Sequence, residues 1–218
     1  MRIASLATFA VGFAPCLAVP AASQVCAGST SFTSAPLHIS GSAGVTAHAY
    51  GFGVGLSLGG PAAFFGVGLG TTHFDALNGS SFDVGAGGGY VLPLDQRGGL
   101  QLCPVVSVGH RSGPSGTLYG DYSETDVSAS LQLGIIAMES RQVRLIPTVG
   151  LGFDHAQQNF SSFGSTSATA SHGFGALTLG LGMVFSGTVT VLPSVGLPIG
   201  LAGSSATFGL SVVANFGR

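Results

Sequence analysis

The sequence has no lysine and no tryptophan, and charged residues make up only 6% of its 218 positions. A water-exposed domain of this size carries about a quarter charged residues, so bulk water is excluded as the surroundings of the whole chain. Long apolar runs are missing as well. Beyond residue 23, glycine, serine or threonine interrupts every hydrophobic stretch well short of the ~18 to 20 residues that a membrane helix needs. A glycine inside a helix costs roughly 1 kcal/mol, and Tyr50 to Gly70, Val84 to Tyr90 and Gly173 to Met183 are dense with it. Long helices are therefore excluded too. Basic residues are scarce, with six arginines against eight acids, which leaves no footprint for nucleic acid.

What the chain does have is alternation, which places residues i, i+2 and i+4 on one face of a strand. In Val143 to Phe153 the odd positions are Val, Leu, Pro, Val, Leu and Phe, while the even ones are Arg, Ile, Thr, Gly and Gly. Leu177, Leu179, Leu181, Met183 and Phe185 stand in the same way against Thr178, Gly180, Gly182 and Val184. Phe52 to Leu58 and Phe208 to Phe216 repeat the split. A soluble sandwich turns its greasy face inward and its charged face to water. Here the second face is glycine, serine and threonine, which suits the inside of a closed barrel whose greasy face meets lipid. An exported glycine-rich sandwich or solenoid is the alternative.

The N-terminus has the form of an export signal: Met1-Arg2, an apolar run from Ile3 to Val19, then Pro20-Ala21-Ala22-Ser23. Cleavage before Gln24 leaves a periplasmic segment, 24–35, ahead of a barrel over 36–217. It also removes Cys16 and leaves Cys26 and Cys103, which an oxidising compartment lets pair.

Applying the period-two rule gives strands over 36–47, 50–58, 62–74, 81–92, 99–111, 124–137, 143–155, 173–185, 188–200 and 206–216. Connections alternate between short turns, at 59–61, 95–97, 139–141 and 186–187, and longer ones, above all 112–123 and 156–172. Short periplasmic turns and long outer loops are the outer-membrane arrangement. The expected fold is all-β, a closed antiparallel up-and-down transmembrane barrel of about ten strands, with eight as the alternative.

Three segments share a pattern, Leu102 to Gly109, Leu145 to Gly152 and Val191 to Pro198, and Phe64 to Gly70 is a looser copy. The spacing fits one hairpin per copy, hence hairpin duplication. Pro104, Pro147 and Pro193 each remove a ladder hydrogen bond from an edgeless sheet, so local bulges are expected there.

Pairing across the short turns sets Phe64 opposite Gly55, Cys103 opposite Gly89, Ile146 opposite Gly134 and Leu192 opposite Gly182. Such large-small alternation fills small barrels. Phe64, Cys103, Ile146 and Leu192, with Val91, Ile136 and Val184, are thus expected to constrict the lumen toward its periplasmic end, beneath a narrow polar cup. A Cys26–Cys103 disulfide would draw residues 24–36 into that mouth.

Asp75, Asp83, Asp126 and Asp154, with Asp121 and Glu124, fall at the expected outer rim, where Arg111 is the one basic residue. An acidic rim collects divalent cations or favours cations at a pore mouth; the plainer expectation is that these acids solvate loop ends. His73, His110 and His155 lie near outer strand ends and face outward by parity. That parity sends Asp154 inward, away from its neighbour His155, so no acid–base pair is expected. His38, His48 and His172 show no partner pattern. The glycine run Gly85 to Gly89 lacks the lysine and helix of a phosphate loop. Phe52, Phe65, Tyr90, Phe153, Phe185 and Phe216 suit an aromatic girdle.

With the signal, the alternating strands and the final strand Phe208 to Phe216 in view, residues 36 to 217 resemble the small outer-membrane β-barrel domain family of Gram-negative bacteria. The family's last strand usually ends in an aromatic residue read by the barrel-assembly machinery; here Phe216 is followed by Gly217-Arg218. The resemblance implies a place in the cell outer membrane, with outer-membrane lipid and the assembly machinery as partners and an unidentified extracellular partner. The expected role is structural or surface interaction without enzyme activity, cofactor or metal. A narrow porin-like channel is the alternative, and a membrane-embedded enzyme the less favoured one.

Overall fold

The computed structural model describes residues 36–59, 63–75, 78–95, 99–114, 121–161, 167–200 and 204–216. Ten strands follow one another: β1 (Leu37–Val45), β2 (Ala49–Gly59), β3 (Ala63–Phe74), β4 (Gly79–Tyr90), β5 (Leu100–Ser112), β6 (Asp121–Ile135), β7 (Val143–Ser161), β8 (Ser167–Phe185), β9 (Val189–Ile199) and β10 (Thr207–Phe216). Two-residue stubs, Leu92–Pro93 and Met138–Glu139, continue β4 and β6. Every strand pairs antiparallel with its neighbours, and β1 pairs with β10 from Leu37↔Phe216 to Val45↔Phe208. The sheet is therefore a closed barrel without an edge along its wall, the one sheet architecture that satisfies its backbone in lipid.

The faces divide as alternation requires. Phe52, Val54, Leu58, Phe65, Val106, Leu151, Phe153 and Phe208 are each more than half exposed on the outer wall. Burying such a side chain is worth ~1.5–3 kcal/mol, so these eight represent ~12–24 kcal/mol, as much as the entire stability of an ordinary domain. A wall of this kind is built to meet lipid, and a sandwich with these side chains in its core is ruled out.

The four turns expected to be short, around 59–61, 95–97, 139–141 and 186–187, lie at one end, where the first strand begins and the last one ends. The other end also has brief connections, 46–48 between β1 and β2 and 75–78 between β3 and β4. Ser186 and Gly187 both have positive φ, 49° and 68°, and Thr188 N donates to Phe185 O at 3.0 Å. This is the two-residue hairpin turn that the twist of antiparallel strands favours. At the other end the main departure from expectation appears. β7 and β8 run six residues further than alternation indicated, so 156–161 and 167–172 are strand rather than loop. β8 pairs with β7 up to Ser167↔Ser161 but with β9 only from Gly175↔Ile199. Together with β6, which reaches Asp121↔Ser161, they form a three-stranded sheet that projects past the rest of the rim.

Register differs from the expected one while the faces do not. Gly59, not Gly55, faces Phe64 on β2. Gly89 faces Val105 rather than Cys103, and Gly134 faces Thr148 rather than Ile146. Each turn centres one or two residues later than its glycines suggested, and slips by an even number of residues keep every side chain on its face. The fourth pairing, Leu192 with Gly182, is in register. The prolines divide as well. A bulge occurs near Pro147, where β6 advances four residues from Gly134 to Met138 while β7 advances three, from Thr148 to Leu145. At Pro104 and Pro193 the register is continuous across the interruption. A strand residue directs its N–H to one neighbour only, so each of these prolines forfeits a single ladder bond and needs no bulge.

Candidate functional site in the lumen

Four facing residues cross the inner wall in one row: Asp83 on β4, Arg111 on β5, Glu124 on β6 and Gln158 on β7. All four are buried, Arg111 at 1% exposure and Glu124 at 0%. Arg111 Nε donates to Asp83 Oδ1 at 2.6 Å, and its Nη1 reaches Glu124 Oε1 at 3.5 Å. Asp83 also accepts from Thr72 Oγ1 at 2.7 Å and Ser81 Oγ at 3.2 Å. Glu124 accepts from the Tyr122 hydroxyl and from Gln158 Nε2, both at 2.6 Å. The Phe74 ring lies 5.5 Å from the guanidinium carbon. Burying three charges is tolerable only with such a set of secondary partners, and the set ties β3 to β7 across the outer half of the lumen.

Asp126 is buried one row nearer the short-turn end, with its carboxylate pressed over Gly109, where a Cβ would collide with it. Asp154 is half-buried on the inner face a further row down. Of the four acids assigned to the rim, Asp75 alone is exposed there; Asp83, Asp126 and Asp154 line the interior and do not solvate loop ends. The network around Arg111 was missed by sequence reasoning, although its signal was present. Cys103, Val105, Ser107, Gly109 and Arg111 share one parity, so Arg111 belongs inside with Cys103.

Toward the short turns the inner wall becomes small, with Gly87, Ser107 and Ser128 and then Ser130 and Gly152. From the Val105–Ser130 row downward lie the apolar side chains. Phe64, Val91, Cys103 and Val105 form one buried cluster, and Ile146 and Val184 form a second with Ile136 packed against them. Leu192 is buried as well. The Phe64 ring covers Gly89, where a Cβ would lie 2.9 Å from its Cζ, and Leu192 Cδ1 lies 3.3 Å from the place of a Cβ on Gly180. Large side chains do sit over glycines, Phe64 over one on β4 rather than β2 and Leu192 over one on β8 as expected. Cys26, the signal segment and residues 24–35 lie outside the described residues.

His38, without a sequence pattern, is buried at the seam between β1 and β10, with Nδ1 at 2.6 Å from Asn215 Oδ1. Asn215 Nδ2 donates onward to Thr190 Oγ1 at 3.4 Å. His172 stacks on Phe174. On the outer wall His73 meets Ser80 Oγ at 3.1 Å and His110 meets Thr125 Oγ1 at 3.0 Å, and His155 is exposed. Among the described residues no three His, Cys, Asp or Glu are grouped to hold a metal ion.

No family model and no curated protein sequence matches the chain. Solved structures do. The N-terminal β-barrel domain of Pseudomonas aeruginosa OprF is 15% identical, with 83% of this chain and 96% of that one covered and a TM-score of 0.40. Neisserial surface protein A is 11% identical over 83% and 97% of the two chains, with a TM-score of 0.43. The translocator domain of autotransporter NalP from Neisseria meningitidis is 14% identical over 83% and 87%, with a TM-score of 0.46. These neighbours are outer-membrane β-barrels; that this chain is a closed antiparallel barrel is shown by its own strand order. Identities at this level say nothing of activity.

Proposed function

We propose that the protein is an outer-membrane barrel with a structural or surface-interaction role and a lumen closed to solutes. One observation supports this reading: buried side chains gather on the inner wall at two levels, in the network centred on Arg111 and in the apolar clusters around Phe64, Cys103, Ile146 and Leu192. The sheet of β6, β7 and β8 projecting past the rim supplies a surface for an extracellular partner. The reading includes no catalysis, supported by the partners of His73 and His110, which are hydroxyls rather than acids. Single-channel recording on the refolded chain tests it. Silence is expected, and a stable large conductance would refute closure in favour of a porin-like channel.

Export by residues 1–23 and a Cys26–Cys103 disulfide belong to the same proposal. Support comes from placement: Cys103 is buried three residues past the start of β5, at the end of the barrel where β1 also begins. The intact mass of protein recovered from outer membranes should begin at Gln24 and rise by two hydrogens on reduction. A mass showing both thiols before reduction would remove the disulfide.

A further inference from the structure

The sheet that projects past the rim has two unlike flanks. On the β6 side, Gly113 N donates to Tyr122 O at 2.8 Å, and the strand carries Asp121 and Glu124. On the β8 side the pairing stops early. β9 joins β8 only from Gly175↔Ile199, so among the described residues 167–174 have β7 on one side and no strand on the other. These eight positions exceed the ~5–6 residues of an ordinary strand.

Register fixes which groups this edge presents. Ser186 N donates to Gln142 O at 2.7 Å, and β8 follows β7 in unbroken register from Phe185↔Val143 to Ser167↔Ser161. A strand residue directs its N–H and C=O to one neighbour, and the next residue directs them to the other. Even-numbered residues of β8 therefore serve β7, and Ser167, Thr169, Ser171 and Gly173 point their backbone groups at the vacant side. Native edges are blunted by Lys, Pro, bulges or inward charges. Here 167–174 contain no Asp, Glu, Lys, Arg or Pro and no bulge, and Ala168, Thr169, Ala170 and Ser171 are exposed.

We propose that the edge 167–174 takes up an extended segment of another protein as an added antiparallel strand. Backbone donors and acceptors at strand spacing select an extended polypeptide over a sugar or a lipid. This chain has no segment for the place. At the outer end the stretches outside the described residues, 76–77, 115–120, 162–166 and 201–203, are at most six residues long, and the N-terminal residues precede β1 at the opposite end. A second copy in the same membrane does not fit either. A two-fold axis along the membrane normal keeps both outer ends up, so two β8 edges tilted by about 40° cross at about 80°, against the ~20–25° between paired strands. Side chains add a preference: Ser167, Thr169 and Ser171 share a face with the exposed Leu179, while Ala168 and Ala170 share the inner one. A strand with hydroxyl side chains outward and β-branched apolar ones inward matches them. An added strand here deepens the surface-interaction reading and rests on it.

Amide hydrogen exchange by NMR and fluorescence anisotropy, both on the refolded chain in micelles, test it. The probe is a labelled peptide of alternating threonine and valine, N-methylated at each valine so that only its threonine edge can pair; the control peptide is N-methylated throughout. In the free barrel the Thr169 and Ser171 amides should exchange fast and those of Ala168 and Ala170 slowly, and the probe should protect all four. Thr169→Pro with Ser171→Pro removes two edge N–H groups and no bond to β7, and should weaken probe binding by about tenfold or more. Thr169→Ala with Ser171→Ala keeps the backbone and should bind within about threefold of wild type. Protected Thr169 and Ser171 amides in the free barrel, equal binding of the control peptide, undiminished binding by the proline variant, or no binding of the probe at all would overturn the edge. A stable large conductance sinks the closed, surface-interacting barrel; a silent barrel that leaves the probe free sinks the edge alone.

Discussion

Replacing Arg111 by methionine keeps a chain of similar length and removes the only cation of the lumen network. The Nε bond to Asp83 at 2.6 Å and the longer Nη1 contact to Glu124 at 3.5 Å are lost. Two carboxylates, 3% and 0% exposed, are then stranded. A charge-assisted hydrogen bond contributes ~1.5–3 kcal/mol, and breaking a buried pair from one side costs ~3–5 kcal/mol. Asp83 keeps Thr72 and Ser81, and Glu124 keeps Tyr122 and Gln158, so the lower end, about 3 kcal/mol, is expected. Urea titration in short-chain phosphatidylcholine vesicles, followed by sheet circular dichroism and by gel mobility, measures it. Arg144→Met is the control, since Arg144 and Glu139 form a half-exposed pair at 2.7 Å of a kind worth ~0–1 kcal/mol. Adding Asp83→Asn and Glu124→Gln to Arg111→Met should recover much of the loss, because no stranded charge remains. An Arg111→Met barrel within about 1 kcal/mol of wild type, or one no weaker than Arg144→Met, would refute the reasoning.

Three further pairs of substitutions bear on the filling, the seam and the wall. Gly89→Ala places a Cβ against the Phe64 ring and the Pro104 carbonyl oxygen and should cost ~1–3 kcal/mol. Gly41→Ala meets nothing within 4 Å and should be neutral or stabilising by up to ~1 kcal/mol, so equal effects would remove the large-over-glycine account. His38→Ala and Asn215→Ala should show a coupling of ~1 kcal/mol in a double-mutant cycle, and additivity would dismiss their bond as a latch of the closing strands. Leu151→Arg, at a lipid-facing position 60% exposed, should cost ~2–4 kcal/mol in bilayers, whereas Gln157→Arg on the projecting hairpin should cost ~0–1; the reverse order would contradict the membrane placement.

The wall was legible because its signal is local. One strand's alternation fixes its two faces without reference to any other strand, and so Phe64, Cys103, Ile146 and Leu192 were identified as inward-facing from parity alone. Register was not legible, because it depends on where each turn centres. The upper parts of β7 and β8 were invisible for a related reason. Beyond the lipid both faces are small or polar, as in Gln157, Gln158 and Asn159 facing Ser171, Ala170 and Thr169, and no contrast remains to mark a strand. The network around Arg111 was hidden by an assumption, that charge near a loop belongs to the loop. Parity had already placed Arg111, Glu124 and Asp126 inside.

The two groups of inward side chains that the closed-lumen proposal invokes differ in chemistry, and that difference decides which one would control permeation. The Arg111 network is hydrophilic, so water admitted beside it can replace a lost bond and an ion passing it keeps polar company. The apolar clusters, with Gln132 buried opposite Cys103 and Gln101 one row away, offer an ion far less, and stripping a charge of water there costs several kcal/mol. On the closed-lumen proposal the apolar clusters are therefore the seal, and the salt bridges serve cohesion. Arg111→Met should weaken the barrel yet leave bilayers silent, whereas Phe64→Ala with Leu192→Ala, which removes two of the buried side chains, should wet the lower lumen and produce channel events. Conductance from Arg111→Met together with silence from Phe64→Ala/Leu192→Ala would reverse the two roles.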